Sequence, residues 1–135
     1  HLHGSLARLV CLATSYSTVA LGSSGEWRTP GTSAWWQRME KAMNAITDKH
    51  GRPMCRLHGL RMLDPQIFSQ LPLASADSTN AAVNSGSLDR FGIYMPPTTY
   101  QRAAVIAERI ESHNSAASWQ RLPIQEPIEC CLSLF

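Results

Sequence analysis

Strand-like and helix-like patterns alternate along this chain, and the alternation predicts an α/β fold with parallel strands. Three observations carry the prediction. Short apolar runs, TVALG (18–22), MCRLHGL (54–60) and LPLASAD (71–77), are separated by segments of helical periodicity. Each separation is long enough for the helical crossover that parallel strands require. Each run also ends in glycine-rich or polar residues, which suits the carboxyl edge of a parallel sheet, where function gathers in such folds. A complete (β/α)₈ barrel takes about 250 residues. At 135 residues the chain is either a section of a TIM barrel, a partial (β/α)₈ barrel of alternating parallel strands and helices, or a small doubly wound sheet.

The first helix spans residues 5–14 (SLARLVCLAT), with Leu6, Leu9, Val10 and Ala13 at helical spacing after a Ser5 cap. TVALG follows as a buried strand that stops at SSG, and EWRTPGT is a loop. The next helix carries the clearest stripe in the chain. Trp36, Met39, Met43 and Ile46 face inward, while Arg38, Glu40, Lys41 and Asp48 face away. His50-Gly51 is expected to end it, with Pro53 blocking its continuation. After the second strand, DPQIFSQL has Asp64 as N-cap and Pro65 at the first helical position, a strong start signal. After the third strand, residues 81–97 read as irregular, with Gly86, Gly92, Pro96 and Pro97. A long helix is expected over 98–119, capped by Thr98 or Thr99, with Ala103, Ile106, Ala107 and Ile110 on its inner face. The division is therefore a barrel-like section over 1–122 and an irregular tail over 123–135.

Bulk properties set modest limits. Apolar residues make up 44% and charged residues 16%, which is too apolar for disorder and ordinary for a domain with a core. The formal charge of +2 neither demands nor excludes a nucleic-acid partner. Cys11, Cys55 and the adjacent pair Cys130-Cys131 form neither a disulfide framework nor a CxxC knuckle, so a reducing, cytoplasmic setting is expected and no metal site. No stretch approaches the roughly 18 apolar residues of a membrane span, so no membrane partner is expected. HLHGSLARLVCLA has neither a basic n-region nor a cleavage site, and with no initiator Met the chain reads as a fragment or a processed piece.

Chemistry concentrates at the three strand ends. The first is Gly22-Ser23-Ser24-Gly25-Glu26, the second His58-Gly59-Leu60-Arg61, the third Ser75-Ala76-Asp77-Ser78-Thr79-Asn80. Each has an ordinary explanation: a flexible turn for GSSG, a satisfied core histidine for His58, a surface group for Arg61, a helix cap for Asp77. Trp27, Trp35 and Trp36 have faces on which a base stacks, although Trp36 falls on the helix stripe. The convergence of three such ends on one face favours a ligand site, with bare backbone amides at the glycines and Asp77 as a nucleophile.

VALGSSGE, LHGLRMLDPQIF and LASADSTNAAVN, in that order and over roughly residues 17–84, resemble the carboxyl-terminal half of the queuine tRNA-ribosyltransferase family. The likeness is greatest to its phage-encoded and 7-deazapurine DNA-modifying relatives. The resemblance implies a TIM barrel and a base-exchanging pentosyltransferase that replaces guanine by a 7-deazaguanine derivative in nucleic acid, tRNA or DNA. It places Asp77 on the nucleophile that holds the sugar as a covalent ester. It places Gly22, Ser23, Ser24, Gly25 and Glu26 on the base-binding strand end, and His58 and Gly59 on the middle motif. Ser75, Ser78 and Asn80 are then expected to orient the Asp77 carboxylate and keep it ionised. The implied partners are nucleic acid and a 7-deazaguanine base, with an oligomer possible and no cofactor.

The chain also departs from that family. The CxCxxC zinc motif of the bacterial tRNA-modifying members has no counterpart, because the only cysteines after Asp77 are Cys130 and Cys131. STNAAVN replaces the arginine-bearing loop, and the half of the barrel that would carry the general base is absent. Two other interpretations follow. One is a non-catalytic nucleic-acid-binding barrel subunit or remnant. The other is a sugar-phosphate barrel enzyme whose GSSG turn cradles a phosphate.

Overall fold

The computed structural model describes residues 1–78 and 96–121. Its described elements, in chain order, are α1 (Leu6–Ser15), β1 (Thr18–Gly22), a 3₁₀ turn (Gly25–Trp27), α2 (Ser33–Ile46), β2 (Arg56–Leu60), α3 (Pro65–Phe68), β3 (Ser75–Ala76) and α4 (Thr99–Glu111). The strands form one sheet in the order β1-β2-β3, and both pairings are parallel. The class is therefore α/β, with three adjacent parallel strands joined through helices.

Helix starts follow local chemistry. The Ser5 hydroxyl accepts the Arg8 N–H, the Thr32 hydroxyl accepts the Trp35 N–H, and the Asp64 carboxylate accepts the Gln66 N–H ahead of Pro65. Thr98 and Gln101 form a reciprocal capping box at the start of α4. Each bond satisfies an amide that the first helical turn leaves without a partner.

The core lies on one face of the sheet. Leu21 and Leu57 meet Trp35, Met39, Ala42, Met43 and Ile46 from α2, Ala13 from α1, and Ile67, Phe68, Leu71 and Leu73 around α3. Gly59 belongs to this face because nothing larger fits: a Cβ there would stand 2.8 Å from Leu73 Cδ1 and 2.9 Å from Met62 Cβ. Strand alternation sends Thr18, Ala20, Arg56, His58 and Ser75 to the opposite face, where they are exposed or half-buried among the described residues.

Several boundaries differ from the sequence expectation. Trp35, not Trp36, is the fully buried tryptophan of α2; its indole N–H donates to the Ser23 hydroxyl at 2.9 Å, and Trp36 is half-buried. The two lie about 100° apart on the helix, so both fit the Met39–Met43–Ile46 stripe, and the Ser23 partner decides between them. Arg38 does not face away. It donates to the carbonyls of Leu2 and Gly4 and stacks over Trp27, clamping residues 1–4 against α2. α2 ends at Ile46, before His50-Gly51, because the Thr47 hydroxyl donates to the Met43 carbonyl while the Thr47 backbone is already extended. β2 begins at Arg56, and β3 is two residues long where seven were expected.

α4 stops at Glu111, well short of residue 119. The Ser112 hydroxyl and the His113 ring both donate to the Arg109 carbonyl and compete with further helical bonding. Ile106 is buried and Ile110 packs on the core, but Ala107 is exposed. Trp119 reaches the core from outside any helix: its backbone N–H donates to Gly51 and its indole N–H to Asn44. The irregular stretch expected over 81–97 lies largely outside the described residues, and so does the tail over 123–135.

Candidate functional site

The carboxyl edge of the sheet is a short row in register. Gly22 pairs with Leu60, and His58 and Gly59 pair with Ser75 and Ala76. The Asp77 N–H donates to the Gly59 carbonyl at 3.1 Å and continues the ladder one residue past β3. Gly22, Leu60 and Asp77 thus stand level across the three strands. Two strand spacings, about 10 Å, separate the outer two. Alternation puts His58, Leu60, Ser75 and Asp77 on the same face of the sheet, opposite the core.

Asp77 is held in several ways. Its carbonyl accepts the Leu63 N–H at 3.1 Å, which ties the loop after β2 to the end of β3. Its Oδ1 accepts the Arg61 N–H at 2.7 Å, and its Oδ2 lies 3.4 Å from His58 Nε2. Arg61 reaches this position with φ of 61°, the left-handed region that few non-glycine residues adopt. The Asp77 carboxylate stays 55% exposed. The Arg61 amide, and after it the His58 ring, hold its pKa below the ordinary aspartate value, so it is an anion over the whole neutral range.

His58 is the centre of a second contact. Its Nδ1 lies 2.8 Å from the Ser75 hydroxyl. An ionised carboxylate only accepts, so Nε2 carries the hydrogen that faces Asp77; in the neutral ring Nδ1 then accepts the Ser75 O–H. Ser75, His58 and Asp77 therefore form one hydrogen-bonded chain across β2 and β3. This corrects the expectation for Ser75: it reaches the carboxylate through His58, not directly. Ser78 is half-buried beside this chain, and Asn80 lies outside the described residues. Arg61 was expected to matter, if at all, as a surface guanidinium. It is its backbone amide that meets the carboxylate, and only the fold brings the two together.

The glycine-rich end of β1 is not bare backbone. The Gly22 carbonyl accepts the Leu2 N–H at 2.8 Å, and a Cβ on Gly22 would lie 2.9 Å from His1 Nδ1. The Ser23 hydroxyl is taken by Trp35, and Ser24 bonds the His3 ring. Gly25 and Glu26 begin the 3₁₀ turn and are exposed. Gly59 contributes its carbonyl to Asp77 and its lack of side chain to the core. Of the expected site residues, His58, Ser75 and Asp77 are brought into contact, while Gly22 to Ser24 have partners within the chain.

Among the described residues no group of three His, Cys, Asp or Glu side chains is placed to hold a metal ion. Cys11 and Cys55 are free thiols, and burial pushes the Cys55 thiol up from its ordinary pKa. Cys130 and Cys131 lie outside the described residues. No described helix is long and apolar enough to cross a membrane. Compared with family models, curated proteins and solved structures, the chain finds no match.

Proposed function

We propose that this chain carries the nucleophile-bearing section of a barrel-type pentosyltransferase that exchanges a purine for a 7-deazaguanine base in nucleic acid. The observation that supports it is the state of Asp77. An exposed, ionised carboxylate stands at the carboxyl end of a parallel strand, with one oxygen fixed by a peptide amide and the other beside an imidazole. A nucleophile for C1′ of a sugar needs these properties: charge at neutral pH, access, and a fixed direction.

In this proposal Asp77 attacks C1′ through an oxocarbenium-like transition state, and the purine leaves with the electrons of the glycosidic bond. The incoming base then displaces the carboxylate from C1′, with overall retention. A nucleoside lying across Leu60 spans from Asp77 toward the end of β1, where Gly25 and Glu26 are exposed. The second strand of the proposal is the barrel itself. Three adjacent parallel strands, with helices on one face and an opposite face largely uncovered among the described residues, are compatible with a barrel sector whose interior is that second face.

A second interpretation rests on the Arg61 contact. Asp77 then serves only as a clamp on the left-handed turn after β2, in a non-catalytic nucleic-acid-binding subunit. Asp77→Asn separates the two. The asparagine oxygen still accepts the Arg61 N–H, so fold and turn survive, but no carboxylate remains to form a sugar ester. In the full-length protein, base exchange by Asp77→Asn is expected to fall by at least about a thousandfold. Exchange at the parent rate, or no covalent nucleic-acid adduct on denaturing gels of the parent, removes the nucleophile assignment.

A further inference from the structure

The two oxygens of Asp77 are not equivalent, and their difference assigns a role to His58 and Ser75. Oδ1 is engaged by the Arg61 N–H at 2.7 Å, a full-strength charge-assisted bond. Oδ2 is 3.4 Å from His58 Nε2, a long contact that leaves its lone pairs available. His58 is itself held by Ser75 at 2.8 Å, and its side chain is 27% exposed against 55% for Asp77. The imidazole is therefore the better-buried, better-fixed member of the pair.

We infer that Asp77 attacks through Oδ2, the oxygen that the Arg61 amide leaves free, and that His58, oriented by Ser75, is a positioning residue that eases the departure of Oδ2 when the aspartyl-sugar ester breaks down. This rests on the pentosyl-transfer proposal above. In the first step an Oδ2 lone pair forms the bond to C1′. The C1′–N bond breaks, its electron pair leaves with the departing base, and that base takes a proton from solvent. Oδ1 becomes the ester carbonyl oxygen, still polarised by the Arg61 amide. In the second step a ring nitrogen of the incoming heterocyclic base bonds to C1′ and gives its proton to solvent. The C1′–Oδ2 bond breaks, and its electron pair returns to the carboxylate. Negative charge builds up on Oδ2 in this second step, beside the Nε2–H. A donor placed where charge develops accelerates the step in which it develops. In the first step the same donor stabilises the charge that is being lost, so it does not help attack. His58 passes no proton to substrate.

The test follows adduct formation and adduct discharge separately in the full-length protein, with guanine-containing RNA or DNA as donor and a 7-deazaguanine as acceptor. His58→Ala is expected to form the covalent adduct at least as fast as the parent and to discharge it about tenfold more slowly, so that ester accumulates. His58→Gln, whose amide N–H can replace Nε2–H, is expected to restore most of the discharge rate. Ser75→Ala is expected to fall between the two. A parent adduct together with an unchanged discharge rate in His58→Ala overturns this inference alone. Absence of any adduct in the parent overturns it together with the proposed function. Long-range ¹⁵N NMR of the parent reads the resting geometry independently of turnover and of variant folding: His58 protonated on Nε2 is expected, and protonation on Nδ1 alone overturns the inference.

Discussion

Asp77 and Arg61 together show how a turn and a charge are held by one bond. The Arg61 amide draws the Asp77 carboxylate pKa below its ordinary value, with the His58 ring adding to the effect. A depressed folded-state pKa contributes stability that is complete above the unfolded value, about 3.9, and is lost as pH falls through the lower folded value. Urea midpoints measured from neutral pH downward should therefore drop below about pH 4, and the drop should be smaller in Asp77→Asn. It should not vanish, because Asp48, whose Oδ1 accepts the His50 and Arg52 amides, is lowered in the same way. An acid limb identical in parent and Asp77→Asn would show that the Arg61 bond carries no net stability. Arg61 offers a complementary test. A non-glycine residue in the left-handed region costs about 1–2 kcal/mol, while glycine adds roughly 0.5–1 kcal/mol of chain entropy to lose. Arg61→Gly should thus leave stability unchanged or raise it by up to about 1 kcal/mol. A clear loss in the denaturation midpoint would mean that the arginine side chain has a structural partner.

Among the elements, the turn between α2 and β2 is held tightly by a close backbone approach. Gly51 has φ of 75°, and a Cβ there would lie 2.1 Å from the Trp119 carbonyl oxygen, a backbone atom that cannot step aside alone. Trp119 in turn donates to the Gly51 carbonyl at 2.8 Å and places its indole N–H on Asn44 at 2.7 Å. The Arg121 guanidinium adds a bond to the Thr47 carbonyl. Residues 119–121 are thereby tied to the end of α2 although no regular element contains them. Gly51→Ala meets both the conformational and the steric penalty and should cost roughly 2 kcal/mol or more, read from thermal or urea unfolding. A loss below about 0.5 kcal/mol, the range of an ordinary surface change, would show that the Gly51–Trp119 approach is not maintained in solution. The elements most legible in the sequence are those with local signals: β1 spans Thr18–Gly22 as expected, and Asp64-Pro65 starts α3. Those that moved, the ends of α2, β3 and α4, end where side-chain-to-backbone bonds or neighbouring segments intervene, and hydrophobic periodicity does not register either.

For the whole molecule, the asymmetry of the sheet is the informative feature. Parallel sheets are normally covered on both faces. Here Leu21, Leu57 and Gly59 are buried under helices, while Ala20 and Ser75 on the other side are exposed among the described residues. The Ser75–His58–Asp77 chain lies on that uncovered side, so any substrate would approach from it. Ala20→Lys measures the state of this face. In the 135-residue chain it should change stability by no more than about 0.5 kcal/mol, as surface substitutions do. A loss of about 2 kcal/mol or more, the scale of placing a charge in a packed interior, would mean that the face is covered in solution. If the chain is a section of a barrel, the same substitution in the complete protein should show that larger loss, because the face becomes the barrel interior.

By itself the sequence determined the α/β class, the order of strands and helices, the caps Ser5, Asp64 and Thr98 (though not Thr32 at the start of α2), and the candidate status of His58, Ser75 and Asp77. These depend on short-range chemistry: period-2 and period-3.6 apolar patterns, a hydroxyl or carboxylate one turn from an amide, polar residues at strand ends. Only the tertiary structure decided that Trp35 is the buried indole, that Ser23 and Ser24 serve Trp35 and His3, and that Ser75 meets His58 while the Arg61 amide meets Asp77. Those pairs lie 12 to 21 residues apart. The register of parallel strands and one left-handed residue join the last two pairs, and the packing of α2 and of residues 1–4 against the end of β1 joins the first two; none of this is encoded in the local pattern around any single position.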